Sequence, residues 1–294
     1  MKRAWIPAAL FLCYTATAGG NTIPAINKGL MIHDTVPFQS GYSKVNGIKM
    51  YYEIYGKGAP LVLLHGGGST IQTSFGRIIP LLAQHRQLIC VELQAHGRTE
   101  DRNTGLSFDQ DADDVAALLQ HLSILKADFF GFSNGGNTAL KMAIRHPELC
   151  NRIIAGSVLL KRNGTVPQFW ESMKNARFEQ MPQAYKDAFL RVTPDTAKLR
   201  NLFLRCAERM NNFTDFSDME MRSIRVPVLF INGDADVGST EHIAAMAKLV
   251  PHSKIAIIPG GHGAYIGEMV ASPPGDTLYR SVIPVLTRFL DGEP

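Results

Sequence analysis

Short apolar runs alternate with helix-like stretches along most of the chain. Six of these runs have the length and composition of buried strands: PLVLLHGGG, QLICVEL, ADFFGFS, RIIAGSVLL, VPVLFINGD and SKIAIIPGG. Runs with no polar face are typical of strands that are buried on both sides, and strands joined through helices run parallel. The pattern therefore predicts an α/β protein with a doubly wound sheet.

A tight hairpin precedes the parallel strands. Asn46 and Gly47 lie between two β-favouring runs in the stretch YSKVNGIKMYYEIYG, and this dipeptide is typical of a two-residue hairpin turn. The two hairpin strands bring the predicted sheet to eight strands, most of them parallel. The patterns between the apolar runs predict helices near residues 75–84, 107–122, 133 onward, 240–249 and 276–289.

One long interval, residues 161–222, breaks the alternation of strand and helix. It is helical in composition and rich in aromatic and methionine side chains. Its position between the sixth and seventh strands predicts a helical cap over the carboxyl edge of the sheet, where open α/β sheets bind ligands. We expect Phe169, Trp170 and Met173 to contact a substrate bound there. The alternative is that these three side chains fill the core of the cap itself.

The first residues have the layout of a secretory signal peptide. Lys2 and Arg3 precede a short apolar run, and small residues end at Ala18. The run is too short to span a bilayer. We expect cleavage of residues 1–18, export to the periplasm or the medium, and no stable membrane insertion. An uncleaved anchor or a frayed terminus is the alternative. Residues 19–41 are predicted to form an N-terminal arm, followed by a core of residues 42–160 and 223–294.

Composition narrows the classes of function. The chain has 294 residues, 45% of them hydrophobic and 19% charged, which suits one large globular α/β domain. The formal net charge of +4 falls to +2 without Lys2 and Arg3. No long basic run remains, so a nucleic-acid partner is not expected. Cys90, Cys150 and Cys206 lack the spacing of a metal site or a disulfide framework, although one disulfide stays open.

Ser133 lies at the junction of a predicted strand and a predicted helix. The stretch GFSNG, residues 131–135, fits the pattern G-x-S-x-G. A serine at such a strand-turn-helix corner adopts strained backbone angles that expose its hydroxyl, and Gly131 and Gly135 allow the strand and the helix to pass closely. The helix N-terminus also stabilises negative charge beside the serine. Ser133 is therefore the candidate nucleophile.

A nucleophilic serine needs a base and an acid that orients the base. The order serine, acid, histidine leaves His242, His252 and His262 as bases. His262 directly follows the carboxyl end of the last strand, whereas the first two lie in a predicted helix and at the opposite end of the sheet. We predict His262 as base and Asp236 as acid. Asp234 is the alternative acid, which we expect instead to bond the backbone of its own turn.

Glycines after the first parallel strand offer backbone N–H groups to a site. In LLHGGGST, Gly67 is predicted to form an oxyanion hole together with Asn134, and Gly68 is predicted to contact the substrate. The run lacks the lysine and Ser/Thr of a phosphate-binding loop and the spacing of a dinucleotide fingerprint. We expect neither a cofactor nor a metal.

These motifs resemble the α/β-hydrolase superfamily, in the branch with a helical cap between strands six and seven. The resemblance extends from about Tyr42 to Leu290 and covers, in order, HGGG at 65–68, VELQAHGRT at 91–99, the Ser133 turn, GDAD at 233–236, and Gly261 with His262. It implies the same triad and oxyanion hole, and a structural role for His65. The sequence departs from the family at Thr240, where proline is common, and at Glu92, Gln94 and Ala95.

By this resemblance the chain is expected to be a serine hydrolase, an esterase acting on small to medium, partly apolar esters through an acyl-enzyme. The same triad supports carbon-carbon bond hydrolases, lactonases, aminopeptidases and cofactor-free perhydrolases. A serine nucleophile argues against epoxide hydrolases and haloalkane dehalogenases, which need a carboxylate. A ligand-binding protein on a hydrolase scaffold is the non-enzyme alternative, and a damaged triad would be its usual mark.

Overall fold

An eight-stranded sheet forms the centre of the computed structural model, which describes residues 36–292. The predicted signal peptide and most of the predicted arm lie outside these residues. The strands are β1 Phe38–Val45, β2 Ile48–Tyr55, β3 Ala59–Leu64, β4 Arg86–Val91, β5 Ala127–Phe132, β6 Cys150–Gly156, β7 Val228–Gly233 and β8 Ser253–Ile258. Their order across the sheet is β1-β2-β4-β3-β5-β6-β7-β8.

Only β2 runs against its neighbours in this sheet. It pairs antiparallel with β1 and β4, and the pairs from β3 to β8 are parallel. The predicted doubly wound, mostly parallel eight-stranded sheet is confirmed. The hairpin is also confirmed: Asn46 and Gly47 have φ of 42° and 90°, as a type I′ turn requires. However, β1 begins at Phe38, earlier than the predicted start at Tyr42.

Helices lie on both faces of the sheet. Their bounds are α1 Ile71–Phe75, α2 Ile79–Leu82, α3 Phe108–His121, α4 Asn134–Arg145, α5 Pro167–Lys174, α6 Gln183–Val192, α7 Thr196–Asn211, α8 Asp218–Ser223, α9 Thr240–Ala247 and α10 Leu278–Leu290. The single helix predicted near residues 75–84 is wrong. Two short helices form there, because Thr70 and Thr73 make a capping box that starts α1 and Pro80 starts a second helix after Gly76.

The apolar core has one layer on each face of the sheet. Successive residues of a strand point to opposite faces, and Phe129 and Phe130 in β5 accordingly belong to separate clusters. The six residues of β5 are all buried, as are those of β7. This burial on both faces explains why these strands read as continuous apolar runs. It also fixes the positions at which the strands end, from which the loops of the site emerge.

Four helices, α5 to α8, lie between β6 and β7 in the region predicted to be helical. We call residues 161–222 the helical segment. Its side chains form a third apolar cluster that includes Phe169, Met173 and Tyr185 and also takes in Leu159 and Val237 from the loops after β6 and β7. Within residues 36–292 no helix has the length and apolar content needed to cross a bilayer. The thiols of Cys90, Cys150 and Cys206 are buried and free.

Candidate active site

Ser133 lies at a strained corner between β5 and α4. The strand ends at Phe132, the helix begins at Asn134, and Ser133 between them has φ 55° and ψ −121°. Non-glycine residues rarely adopt such angles, and they cluster at functional sites. The Ser133 N–H donates to the carbonyl of Gly156 at 2.8 Å. A Cβ at Gly131 would lie 2.0 Å from the carbonyl oxygen of Gly135, so only glycine fits where strand and helix cross.

Asp236 and His262 are joined by a short hydrogen bond. The Nδ1–H of His262 donates to Oδ1 of Asp236 at 2.6 Å. The ring of His262 also packs against Phe132, with 4.8 Å between the ring centroids. The other ring nitrogen, Nε2, is buried and has no hydrogen-bond partner within the described residues. The imidazole is therefore oriented through one nitrogen while the other stays available to accept a proton.

The carboxylate of Asp236 is buried and accepts three further hydrogen bonds. The N–H of Val237 donates to Oδ1 at 2.7 Å, and the N–H of Gly233 and the hydroxyl of Ser157 donate to Oδ2 at 3.1 and 2.6 Å. Burial by itself would raise the pKa of Asp236, but the charge of His262 and these hydrogen bonds outweigh it and hold the pKa below its usual value. The carboxylate thus stays ionised beside the imidazole.

Asp234 is exposed and bonds a different loop from the one predicted. Its Oδ1 accepts the N–H of Gly260, in the loop after β8, at 2.8 Å, whereas the backbone of the turn itself bonds to Asp236. The prediction that Asp234 bonds its own turn is wrong. The reason is the pairing of β7 with β8, which sets Gly233 opposite Ile258 and so brings the two loops together.

Ser157 contacts the predicted acid Asp236 and Tyr265 contacts Ser157; sequence reasoning missed both residues. Ser157 directly follows β6, with φ 52°, and its hydroxyl contacts the hydroxyl of Tyr265 at 3.0 Å as well as Asp236. Burial raises the pKa of Tyr265 well above its usual value, and the charge of Asp236 adds to the effect. A polar residue inside the apolar run RIIAGSVLL was the available signal, because the carboxyl ends of parallel strands meet at one edge.

A small cavity beside Ser133 brings several predicted residues together. Its volume is about 20 Å³, the space of roughly one water-sized group. The lining comprises Ser133, Asn134, Asn137, Ser157, Leu159, Phe169, Met210, Val237 and His262. The predicted nucleophile, the predicted base and one residue of the predicted oxyanion hole thus share a cavity with Phe169 from the helical segment.

Trp170 and Met173 do not line this cavity. The indole N–H of Trp170 donates to the carbonyl of Arg162 at 2.8 Å, and Met173 is buried in the apolar cluster of the helical segment. These contacts favour the alternative in which both side chains fill that cluster. Substrate binding by the two residues stays a prediction.

The glycine loop after β3 approaches the same end of the sheet, but Gly67 and Gly68 are not among the residues lining the cavity. The N–H of Gly68 donates to Nε2 of His96 at 3.0 Å. The backbone N–H of the residue predicted to contact the substrate is therefore already bonded. The N–H groups of Gly67 and Asn134 find no acceptor in residues 36–292. The oxyanion hole formed by Gly67 and Asn134 stays a prediction.

Two buried histidines hold the glycine loop in place. The Nδ1–H of His65 donates to the carbonyl of Gly66 at 2.8 Å, and its Nε2 accepts the N–H of Leu93 at 3.0 Å. Burial lowers the pKa of His65 to about 4 and that of His96 well below its usual value. Both rings are neutral near pH 7 and both bond to backbone, which agrees with the structural role implied for His65.

A buried pair links the helical segment to the loop that carries His262. The hydroxyl of Tyr185 in α6 donates to Oε1 of Glu268 at 2.7 Å, while Oε2 accepts the N–H groups of Val270 and Ala271. Burial raises the pKa of Glu268 above its usual value despite these bonds.

Among the described residues no group of three or more His, Cys, Asp or Glu side chains is arranged to hold a metal ion.

Comparison with known proteins places these features in context. Residues 59–215, more than half of the chain, match the family model of the alpha/beta hydrolase fold. The 2-hydroxymuconate semialdehyde hydrolase of Pseudomonas sp. (strain CF600) is 34% identical over 112 residues, which cover 37% of this chain and 39% of that protein. The non-heme haloperoxidase of Rhodococcus erythropolis is 24% identical over 249 residues, covering 74% of this chain and 90% of that protein.

A solved structure extends the likeness over most of the chain. The 2-hydroxy-6-oxo-6-phenylhexa-2,4-dienoate hydrolase from Rhodococcus sp. strain RHA1 superposes with a TM-score of 0.72, covering 87% of this chain and all of that chain at 18% identity. At this identity the likeness concerns the fold alone. The match to the Pseudomonas hydrolase spans less than half of that protein, so neither activity nor substrate carries over from it.

Proposed function

Because the chain belongs to the α/β-hydrolase fold family, we propose that it is a serine hydrolase that cleaves small to medium, partly apolar carboxylic esters. Ser133 is the nucleophile, His262 the general base and then acid, and Asp236 the residue that orients His262. The reaction passes through an acyl-enzyme and draws on no cofactor in this proposal.

One observation carries the proposal. The imidazole of His262 is bonded through Nδ1 to a buried carboxylate, its Nε2 is unbonded, and it lines the same cavity as a serine held at φ 55°. A base that is oriented by an acid and shares a cavity with a strained serine can activate the hydroxyl of that serine for nucleophilic attack. A ligand-binding protein would have no use for it.

The proposed reaction proceeds in two halves. Oγ of Ser133 attacks the carbonyl carbon while its proton moves to Nε2 of His262, and the carbonyl oxygen becomes negative. The N–H groups of Gly67 and Asn134 stabilise this oxygen, each contributing about 3 kcal/mol by analogy with other oxyanion holes. His262 then gives the proton to the leaving alkoxide. Water, activated by the same imidazole, cleaves the acyl-enzyme and releases the acid.

The lining of the cavity supports an acyl group that is small and partly apolar. Leu159, Phe169, Met210 and Val237 contribute apolar side chains. The cavity has room for about one water-sized group, so longer acyl chains fit only if side chains of the helical segment move. We therefore expect rates to be highest for short acyl chains.

The nucleophile is tested by labelling with an active-site phosphonate. Purified protein should gain one phosphonyl group on Ser133, detected by mass spectrometry of the intact protein and its peptides, and Ser133→Ala should gain none. Labelling that persists in Ser133→Ala would contradict the assignment. Rates across a series of acyl and alcohol chain lengths then test the bond type. Phosphonate labelling without hydrolysis of any ester would point to carbon-carbon or amide bonds.

We further propose the chain organisation expected from the sequence. Residues 1–18 are a signal peptide that is cleaved on export and residues 161–222 cap the site. The core consists of residues 42–160 and 223–294, to which the start of β1 adds residues 38–41. The three-part layout of the first residues supports export. N-terminal sequencing of the protein recovered from the periplasm or the medium tests this, and a mature chain that still begins at Met1 would contradict it.

A further inference from the structure

Two amide side chains beside Ser133 each leave a buried polar atom unbonded. Asn137 is 3% exposed and Asn134 is 5% exposed. Within residues 36–292, Oδ1 of Asn137 and Nδ2 of Asn134 have no hydrogen-bond partner. Both residues line the cavity that holds Ser133 and His262. Because buried polar atoms are almost always bonded to protein or to ordered water, this pair calls for a partner in the cavity, which is a water molecule in the free protein and a polar group of the substrate in the complex.

The orientation of the Asn137 amide is fixed by the chain. Its Nδ2 donates to the carbonyl oxygen of Leu159 at 3.0 Å, and a flipped amide would set two acceptor oxygens against each other. Oδ1 is therefore an acceptor that the protein leaves open. The Asn137 N–H donates to the carbonyl of Ser133 at 3.1 Å, so Asn137 lies one helical turn from the nucleophile.

An unbonded acceptor and an unbonded donor together match a hydroxyl group. Asn134 and Asn137 are three residues apart on α4, which places them on the same face of the helix. A hydroxyl donates one hydrogen bond and accepts others, whereas a carbonyl or ether oxygen only accepts and an ammonium group only donates. The cavity of about 20 Å³ admits one group of this size, and the rest of the substrate requires the helical segment to move.

We propose that the substrate of this site is a hydroxy ester. Its hydroxyl lies within a few bonds of the carbonyl carbon, donates to Oδ1 of Asn137 and accepts from Nδ2 of Asn134. This inference rests on the proposed esterase function and narrows its substrate class. The two asparagines are specificity-determining residues, because an ester without the hydroxyl leaves both polar atoms buried and unpaired.

Matched ester pairs test the inference with the wild-type protein. The acyl arm compares ethyl 2-hydroxybutyrate and ethyl 3-hydroxybutyrate with ethyl butyrate. The alcohol arm compares 2-hydroxyethyl butyrate with propyl butyrate. We expect kcat/KM to be about tenfold or more higher for a hydroxy ester than for its partner in one arm. The arm that shows the preference identifies the half of the substrate that carries the hydroxyl.

Asn137→Leu tests the assignment to this residue. The substitution removes the acceptor, so the ratio of kcat/KM between the hydroxy ester and its partner should fall to about one, whichever way the separate rates move. Met210→Leu is the matched control, since Met210 lines the same cavity without a hydrogen-bonding role and the volume is nearly conserved. We expect the control to keep the wild-type ratio. An Asn137→Leu protein that keeps that ratio overturns the assignment.

The possible failures are distinguishable. Wild-type protein that is labelled by the phosphonate and hydrolyses both members of each pair equally contradicts the hydroxy-ester inference and leaves the proposed function standing. Wild-type protein that is neither labelled nor active on any ester contradicts the proposed function, and the inference falls with it. If Asn137→Leu fails to fold, as a thermal unfolding curve would reveal, the wild-type pairs still decide the question.

Discussion

The carboxyl edge of the sheet and the helical segment hold their residues by different means. At the sheet edge, the carboxylate of Asp236 accepts four hydrogen bonds, and the strands that carry the loops are packed on both faces. The helical segment has an apolar cluster of its own and meets the core partly through polar pairs, such as Tyr185 with Glu268 and Arg209 with Asp111. The groups proposed to react are therefore held by the sheet. The helical segment, which is proposed to contact the substrate, is joined to the core by individual polar pairs that single substitutions can remove.

The largest expected effect is the loss of activity that follows a substitution at the sheet edge. Asp236→Asn should lower kcat by about 10³- to 10⁴-fold, because an amide cannot hold the Nδ1–H tautomer of His262 as a carboxylate does. Steady-state rates on a short ester measure the loss.

Asp234→Asn is the matched control for this substitution. The asparagine oxygen can still accept the N–H of Gly260, so we expect activity within about threefold of wild type. Equal losses in the two variants would remove the distinction between the aspartates.

The next effect concerns a contact at the base of the helical segment. Nε2 of His242 in α9 accepts the N–H of Leu160 at 3.1 Å, and burial lowers the pKa of His242 from 6.5 to about 4. Between these values the unfolded chain binds more protons at this residue than the folded protein does. The free energy of unfolding therefore falls as the pH falls from 6.5 to 4, by up to about 3 kcal/mol from this group.

His242→Gln should reduce this pH dependence. Glutamine does not titrate in this range and can offer an amide oxygen to Leu160. Urea denaturation at a series of pH values from about 7 to about 4 gives the difference between the two proteins. Parallel curves would show that the protonation of His242 does not limit stability.

The third effect concerns the bond between the helical segment and the loop after β8. Tyr185→Phe removes the donor to Oε1 of Glu268, a buried carboxylate. We expect a loss of about 1 to 3 kcal/mol in the free energy of unfolding, together with faster hydrogen exchange in α6. Tyr42→Phe, at a side chain that is 54% exposed, should change stability by less than about 0.5 kcal/mol. Unchanged exchange in α6 would mean that the apolar cluster alone holds the segment.

The smallest effect is expected at Ser157. Ser157→Ala removes one of the four hydrogen bonds to Asp236, and we expect kcat/KM to fall about tenfold because the carboxylate is held less firmly. Tyr265→Phe keeps the bond from Ser157 to Asp236 and should lower kcat/KM less. If the phenylalanine variant is the slower of the two, then Tyr265 matters for a reason other than Ser157.

The sequence predicts the sheet because strands that are buried on both faces are apolar at consecutive positions. Phe129 and Phe130 face opposite sides of β5, so neither face of the strand is polar; Asp128, the one charged residue of β5, is buried in a pair with Arg86. The turn at Asn46 and Gly47 and the corner at Ser133 are equally local, since each depends on the angles of one or two residues. The split of the helix near residues 75–84 was missed because apolar periodicity continues across the capping signals at Thr70 and Pro80.

The contacts around the site were harder to foresee because they join distant parts of the chain. Ser157 and Asp236 are 79 residues apart, Tyr185 and Glu268 83 residues apart. Which side chains meet depends on the conformations of several loops at once. The unbonded side-chain atoms of Asn134 and Asn137 are also properties of the packed structure. The sequence marks Asn134 only as an oxyanion-hole residue and gives no role to Asn137.

The crossing of β5 and α4 has a consequence for anyone who wishes to redesign this protein. A Cβ at Gly131 would meet the carbonyl oxygen of Gly135, and a Cβ at Gly135 that of Leu64, each at 2.0 Å. We expect libraries that vary these two positions near the proposed nucleophile to yield chains that do not fold. Substitutions at Phe169 and Met210 instead change the lining of the cavity. These residues lie in α5 and α7, which take no part in the crossing of β5 and α4.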